Sequence, residues 1–257
     1  MSFNGKVVLI TGGGSGMGRQ AAQMLAGNGA TVALFDVNSD GMDETAKGFD
    51  SIHGWSVDIT DAQAVIDAVK ACEDKLGPID RLYNCAAIMP FGKLVEQDNA
   101  IIHKQMAINY GGLVNVTQAV LPGMLERGRG DFISFASMAG LIPMLLTGAY
   151  SATKAAVCTF TEILYHENMN SGVRFACVCP PAVSTPLLQQ GRDTVWPKML
   201  DDAGEPIAPQ VVIDAIEDCL EKNKFWVYPS GKARIGAFMR RFFPSLIWKQ
   251  VHQVEGF

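Results

Sequence analysis

Tyr150 and Lys154 stand four residues apart in the stretch Tyr150-Ser151-Ala152-Thr153-Lys154. On a helix, a phenol and an ammonium at that spacing share one face. A tyrosine of ordinary pKa, about 10, is a poor base at neutral pH. Moving it near 7 takes about 4 kcal/mol. One cation at about 4 Å in a partly shielded site supplies an interaction of that order. Such a pair could exchange a proton with a reacting hydroxyl or carbonyl. The same spacing is common on plain helix surfaces, so the residues around it matter. Ser137 lies 13 residues upstream, and its hydroxyl could hydrogen-bond an oxygen without titrating. Asn109 falls inside a long helical stretch, where asparagine is a poor helix former. It either faces solvent or is a polar group that breaks the ladder at a functional site and holds a water.

A second set of residues suits an anion. Thr11-Gly12-Gly13-Gly14-Ser15-Gly16-Met17-Gly18 follows an apolar run and opens an amphipathic one. A helix N-terminus offers a pyrophosphate its unpaired N–H groups and positive dipole end. Glycine lets the backbone come close. A second apolar run ends in Asp36, 18 residues beyond Gly18. A carboxylate there could accept hydrogen bonds from both ribose hydroxyls of NAD and would repel a 2′-phosphate. Its neighbours Ser15 and Val37 offer such a phosphate no cation, which favours NAD over NADP. Asp58 and Ile59 close a third apolar run at the same edge. Asp58 could accept from the adenine amino group, with the Ile59 N–H on the ring, or it could cap the next helix.

These residues must be positioned by alternating elements. Short apolar runs at 6–11, 31–36, 52–57, 79–84, 131–136, 173–179 and 225–228 read as strands. Amphipathic runs at 16–28, 61–76, 99–127, 150–170 and 209–222 read as helices, the second capped at Thr60 or Asp61. The strands are nearly all apolar, which suits a parallel sheet buried on both faces. Strand–helix alternation implies right-handed crossovers. The expected class is α/β, a doubly wound parallel sheet of about seven strands with helices on both faces. With no repeat or linker, residues 1–257 read as a single domain.

Composition narrows the rest. The chain has 257 residues, 48% hydrophobic and 18% charged, enough for a full core and too apolar for disorder. Its net charge of -5 does not favour nucleic acid. No apolar run approaches the ~18 residues of a membrane span, and there is no signal-peptide pattern. Six cysteines in mostly apolar segments read as reduced and buried, with the cytoplasm as location. Cys177 and Cys179 should face one side of a strand as core packing. His53, His103, His166 and His252 show no metal-ligand spacing, so no metal is expected.

In order and spacing, the turn at 11–18, Asp58, Asn84, Asn109, Ser137 and the Tyr150/Lys154 pair resemble the short-chain dehydrogenase/reductase family, over roughly residues 4–230. The resemblance implies a Rossmann-like domain, a nicotinamide cofactor and hydride transfer to or from a carbinol carbon. It makes Tyr150 the general acid/base and Lys154 the group that lowers its pKa and holds the nicotinamide ribose. Ser137 would polarise the substrate oxygen, and Asn109 would anchor a water that relays protons from Lys154. Gly12, Gly16 and Gly18 would shape the pyrophosphate turn, with Ser15 on it and the Met17 N–H as a phosphate donor. Asn84, Ala86 and Pro180 would border the cofactor, and Val183 and Thr185 would hold the carboxamide. Two positions depart from the family pattern. Ala87 stands where glycine is usual, so its φ should stay negative. Pro181 replaces a glycine and should stiffen or shift the nicotinamide loop.

Segment 184–205 should cover the substrate, because loops beyond the strand ends form the crevice. Its Leu187, Leu188, Val195, Trp196, Met199 and Leu200 suggest an apolar alcohol or ketone. Ile88, Met89, Met144, Leu145 and Leu146 flank the same side; Arg192 and Lys198 are the basic exceptions. Residues 231–257 mix Lys232, Arg234, Arg240, Arg241 and Lys249 with Phe238, Phe242, Phe243, Leu246, Ile247 and Trp248, and Pro244 should split them into two helices. This tail could pack on the protein or a second subunit, which is favoured, or lie on a membrane surface. A homodimer or homotetramer is expected. The functional reading is an NAD-dependent oxidoreductase of secondary alcohols. Its alternatives are an NADH-using ketone or 3-oxoacyl reductase and, from another class, a non-catalytic NAD-binding sensor or scaffold.

Overall fold

Seven strands pair in parallel throughout: β1 (Val7–Thr11), β2 (Thr31–Asp36), β3 (Ile52–Ser56), β4 (Arg81–Asn84), β5 (Gly130–Phe135), β6 (Val173–Val178) and β7 (Trp226–Val227). Their order across the sheet is β3-β2-β1-β4-β5-β6-β7. The computed structural model describes residues 5–202 and 204–256. The remaining positions of the expected 1–257 domain, Ala203 of the expected cover and the side chain of Lys232 lie outside the described residues.

The apolar strand residues alternate between two cores, as burial on both faces requires. On one face, Leu9, Phe35, Leu82, Phe132 and Phe175 pack against helices α3 (Ala62–Leu76), α5 (Gly112–Glu126) and α6 (Gly148–Glu167). On the other, Val8, Ile10, Leu34, Tyr83 and Val178 meet α1 (Gly16–Gly27), α2 (Ser39–Ala46) and α9 (Pro209–Glu221). Chain order reverses between β1 and β4, which opens a crevice beyond their C-terminal ends. One buried charge spans the sheet: Arg81 pairs with Asp131 on β5 and Glu217 on α9.

Two local features differ from the expected pattern, and a third decides between two expected caps. Helix α2 was not expected, because Ser39–Ala46 is polar and contains Gly41. The Asn38 side chain caps it by accepting the Gly41 N–H at 3.0 Å. The expected helix over 99–127 is three pieces: α4 (Asn99–Met106), a π turn (Ala107–Gly111) and α5. The cap of α3 is Asp61, which accepts from the Gln63 and Ala64 amides. Beyond β6 come α7 (Pro186–Arg192) and α8 (Lys198–Asp202). The tail folds as α10 (Gly231–Phe242) and α11 (Pro244–Glu255), divided at Pro244 as expected. Among the described residues, no helix is long and apolar enough to cross a membrane.

Candidate active site

A cleft of about 260 Å³ lies over the crevice. Its walls include Gly12, Ser15, Gly16, Met17 and Gly18 from the glycine turn, Asp36 and Val37 after β2, and Asp58 and Ile59 after β3. Ala86 and Thr185 complete the expected residues that line it. Two glycines are fixed by space. At Gly12 (φ +67) a Cβ would sit 2.8 Å from the Ala86 Cα; at Gly18 it would sit 2.2 Å from the Gly12 carbonyl oxygen. Ser15 caps α1 without a side-chain bond, leaving its hydroxyl beside the open first-turn amides. This cradle, which side chains would fill, fits a pyrophosphate.

Asp36 is held in place. Its Oδ2 accepts the Gly14 N–H at 2.9 Å and its Oδ1 the Asn38 N–H at 3.0 Å. Sequence reasoning overlooked Arg19, a cation close to this acid. Its guanidinium donates to the Gly14 and Gly41 carbonyls and to Thr45, and it does not line the cleft. Asp58 accepts from the amide and hydroxyl of Thr60, shaping its own turn. Because Asp61 caps α3, helix capping does not explain Asp58.

Other expected cofactor residues act behind the wall. Asn84 does not line the cleft; its Oδ1 accepts the Thr11 hydroxyl at 2.8 Å and so ties β1 to β4. Thr11 Oγ1 in turn accepts the Cys85 and Ala86 amides. Among the described residues, Asn84 Nδ2 is buried without a hydrogen-bond partner. The Pro180 carbonyl accepts the Met138 N–H at 3.0 Å, and Val183 bridges to Ile207; neither lines the cleft. Thr185 caps α7 and faces Gly16 across it. Ala87 is not among the residues of positive φ, as expected.

The acid–base group lies next to the cleft. Ser137 follows β5 and accepts the Ala139 N–H at 3.1 Å. Tyr150 and Lys154 are both buried on α6. Burial pushes the Tyr150 phenol up to about 12, while a hydrogen bond with Ser137 pulls the other way. Burial drives Lys154 down to about 8, opposed by the thiols of Cys158, Cys85, Cys177 and Cys179. The ammonium donates to the Phe135 carbonyl at 2.7 Å and stands 5.8 Å from the centre of the tyrosine ring.

Asn109 is buried in the π turn, which settles the solvent-facing alternative. Its Oδ1 accepts the Ile88 N–H at 2.8 Å, and its Nδ2 donates to the Ile88 carbonyl and to Thr153 Oγ1. Both ends of the amide are thus engaged by protein, and the expected water anchor cannot rest on a free side chain. Behind Lys154, the sulfurs of Cys158, Cys177 and Cys179 lie within 4.8 Å of one another, the one such group of metal-type ligands among the described residues. Cys177 and Cys179 do share a side; Cys158, on the helix above, gave no spacing signal in the sequence.

Tyr150 also walls an apolar cluster with Met89, Phe91 and Ala139, flanked by Leu187, Leu188, Trp196 and Leu200. Phe91, which the sequence reading omitted, meets the Tyr150 ring at 6.0 Å between centres. The Met89 and Phe91 amides donate to Gln190 and Thr194, tying segment 184–205 across the cluster. Val195 departs from expectation: it is exposed. Leu187 belongs to both the cluster and the cleft wall.

Residues 6–196 match the family described as short chain dehydrogenase. The chain is 36% identical over 189 residues to 2-keto-3-deoxy-L-fuconate dehydrogenase of Xanthomonas campestris, covering 73% of this chain and 62% of that protein. It is 35% identical over 196 residues to 2-(S)-hydroxypropyl-CoM dehydrogenase 3 of Xanthobacter autotrophicus, covering 74% and 77%. A short chain dehydrogenase/reductase of Burkholderia phymatum, solved in complex with NAD, superposes with a TM-score of 0.85 at 25% identity over 96% of each chain. With the glycine cradle, the buried tyrosine and lysine and the sheet order, these matches show that the chain belongs to the short-chain dehydrogenase family of oxidoreductases, which bind nicotinamide cofactors.

Proposed function

We propose that the protein is an NAD-dependent oxidoreductase that interconverts an apolar secondary alcohol and its ketone. The carrying observation is the position of Tyr150. It bonds to Ser137, shares a helix face with Lys154 and walls an apolar cluster that meets the cleft at Leu187.

When bound, the nicotinamide supplies the hydride acceptor or donor and, in its oxidised form, a positive charge. Asp36 would accept from the adenosine ribose, and with Arg19 bonded away from the cleft, no cation there suits a 2′-phosphate. Ser137 would hold the substrate oxygen against Tyr150. In oxidation the Tyr150 phenolate takes the hydroxyl proton; in reduction the phenol returns it. Lys154, fixed by Phe135, would steady the phenolate and the nicotinamide ribose. Asn109 acts one step back, holding Ile88 on the cleft wall. Segment 184–205 would cover the substrate through its bonds to Met89 and Phe91.

An apolar substrate follows from the cluster beside Tyr150. Arg192 stacks over Trp196 at 5.0 Å, and both Arg192 and Lys198 are exposed. Neither offers a buried clamp for a carboxylate or phosphate. A reductase working in the other direction would use the same groups. A pure scaffold would have no need to bury an ammonium whose charge burial disfavours. The test is turnover of a panel of secondary alcohols and ketones with NAD and NADP, followed by absorbance of the reduced nicotinamide. Tyr150→Phe should abolish it. Undiminished turnover in that variant would remove the assignment, and preference for NADP would remove the reading of Asp36.

A further inference from the structure

Helices α10 and α11 bury one side and leave the other open. Ala233 and Val251 are buried, and Glu255 Oε1 accepts the Met199 N–H at 2.8 Å, which fixes α11 beside α8. The opposite side holds Ile235, Phe238 and Phe242, which are 65%, 56% and 58% exposed. Their spacing of three and four residues makes one stripe along α10. The stripe continues on either side of Pro244 with Phe243 and Leu246, 47% and 57% exposed. The Phe238 and Phe242 rings lie 4.7 Å apart, so the aromatic surface is continuous. Among the described residues, this is the densest run of exposed large apolar side chains.

Basic residues border that stripe. By helical spacing, Arg234 and Arg241 fall along one margin of it, and both are exposed, as is Lys249 on α11. None of the three makes an ion pair among the described residues. Arg240 is placed differently, stacked on Trp248 at 5.9 Å between the two helices. Helix α10 contains no acidic residue, and the one acid of α11, Glu255, is turned to Met199. The chain as a whole carries a net charge of -5, so this end opposes the sign of the rest.

We infer that the α10–α11 pair docks the protein on an anionic lipid surface, with the phenylalanine stripe in the interface and the basic margin on the headgroups. An apolar helix face bordered by arginine and lysine has the two attractions that bind a helix in the plane of a bilayer. Arginine stems can lie along the apolar layer while their heads reach phosphate. A second copy of this chain fits less well. A two-fold contact sets the same patch against itself, so Arg234, Arg241 and Lys249 of both copies would gather in one interface, where α10 has no acid and the Glu255 of α11 is turned to Met199. Lipid phosphate offers these cations the opposite charge across the whole surface.

The test is co-sedimentation of the full chain with phosphatidylcholine vesicles, with and without phosphatidylserine. It needs no turnover and so stands apart from the dehydrogenase reading. The protein should pellet with the phosphatidylserine vesicles, and binding should fall about tenfold or more when that lipid is left out or salt is raised. Phe238→Glu with Phe242→Glu should abolish binding while circular dichroism and oxidation of a water-soluble alcohol stay unchanged. Arg234→Gln with Arg241→Gln, a milder change, should weaken binding and flatten its salt dependence. Wild-type protein that stays in the supernatant overturns the inference, and so does equal binding by the folded double-glutamate variant. Absence of vesicle binding together with an oligomer that the double-glutamate variant splits, measured by light scattering, would assign the stripe to a second copy instead.

Discussion

Lys154 Nζ stands 5.8 Å from the centre of the Tyr150 ring and donates to the Phe135 carbonyl at 2.7 Å. The lysine is thus anchored to β5 rather than to the phenol it serves. Burial raises Tyr150 to about 12 and lowers Lys154 to about 8. Alcohol oxidation uses the phenolate, so kcat/KM for oxidation should rise with pH. Lys154→Met should move that rising limb to higher pH and lower its neutral value about a hundredfold or more. A pH–rate profile of both proteins checks this.

The same lysine makes a stability prediction. Its folded pKa, about 8, lies below its ordinary 10.5. Between those values the unfolded chain holds a proton that the folded one has released, so stability gains as pH rises through that window. The Tm of the native protein relative to Lys154→Met should therefore increase between pH 7 and pH 10. A flat difference would show that the ammonium is not buried at that cost.

Asn109→Ala should strip Ile88 of its side-chain partners for both N–H and C=O. Leaving such groups unpaired costs about 1–3 kcal/mol. The Tm should fall by several degrees, and KM for NAD should rise because Ile88 lines the cleft. Asn109→Asp, which keeps the acceptor and loses the donor, should lie between the two.

Asp36→Ala should raise KM for NAD about tenfold and narrow the preference over NADP, since a carboxylate would no longer repel a 2′-phosphate. The ratio of kcat/KM for the two cofactors is the measurement. The Tm should also fall slightly without cofactor, because Asp36 also holds the Gly14 amide.

Two glycines of α1 should respond in opposite directions. Gly18→Ala would press a Cβ to 2.2 Å from the Gly12 oxygen, so cofactor binding and Tm should both drop. Gly27, with nothing nearer than 3.9 Å, should gain about 0.5–1 kcal/mol on becoming alanine. Thermal melts with and without NAD separate the two cases.

Glu217→Gln should destabilise the fold with little change in KM for NAD. It weakens the charge facing fully buried Arg81, far from the cleft lining. Breaking a buried pair costs about 3–5 kcal/mol when one partner is lost outright. A denaturant titration should show a fraction of that, because Arg81 keeps Asp131.

The strands, the glycine turn and the tyrosine–lysine pair were legible because local pattern determines them. Apolar runs specify buried parallel strands, and Gly12 and Gly18 are needed for space within one turn. Helix α2 escaped because its stability comes from the Asn38 cap and from packing of Met42, not from periodicity. Asn109 was noticed for its awkward place in a helix, yet its partner Ile88 is 21 residues away and left no mark in the spacing. The surroundings of Tyr150 were illegible for a similar reason. Sequence showed the neighbouring ammonium but neither the desolvation of the phenol nor the carbonyl that competes for the lysine.

The π turn at Ala107–Gly111 puts one more residue into a helical path than the α ladder needs. Each residue of an α-helix advances by about 100°. Deleting one position there would relax the turn to regular helix and swing either Asn109 or the core-facing Leu113 and Val116 off target by that angle. The extra residue acts as a spacer keeping two registers correct at once, so this stretch should tolerate point replacements far better than a change in its length.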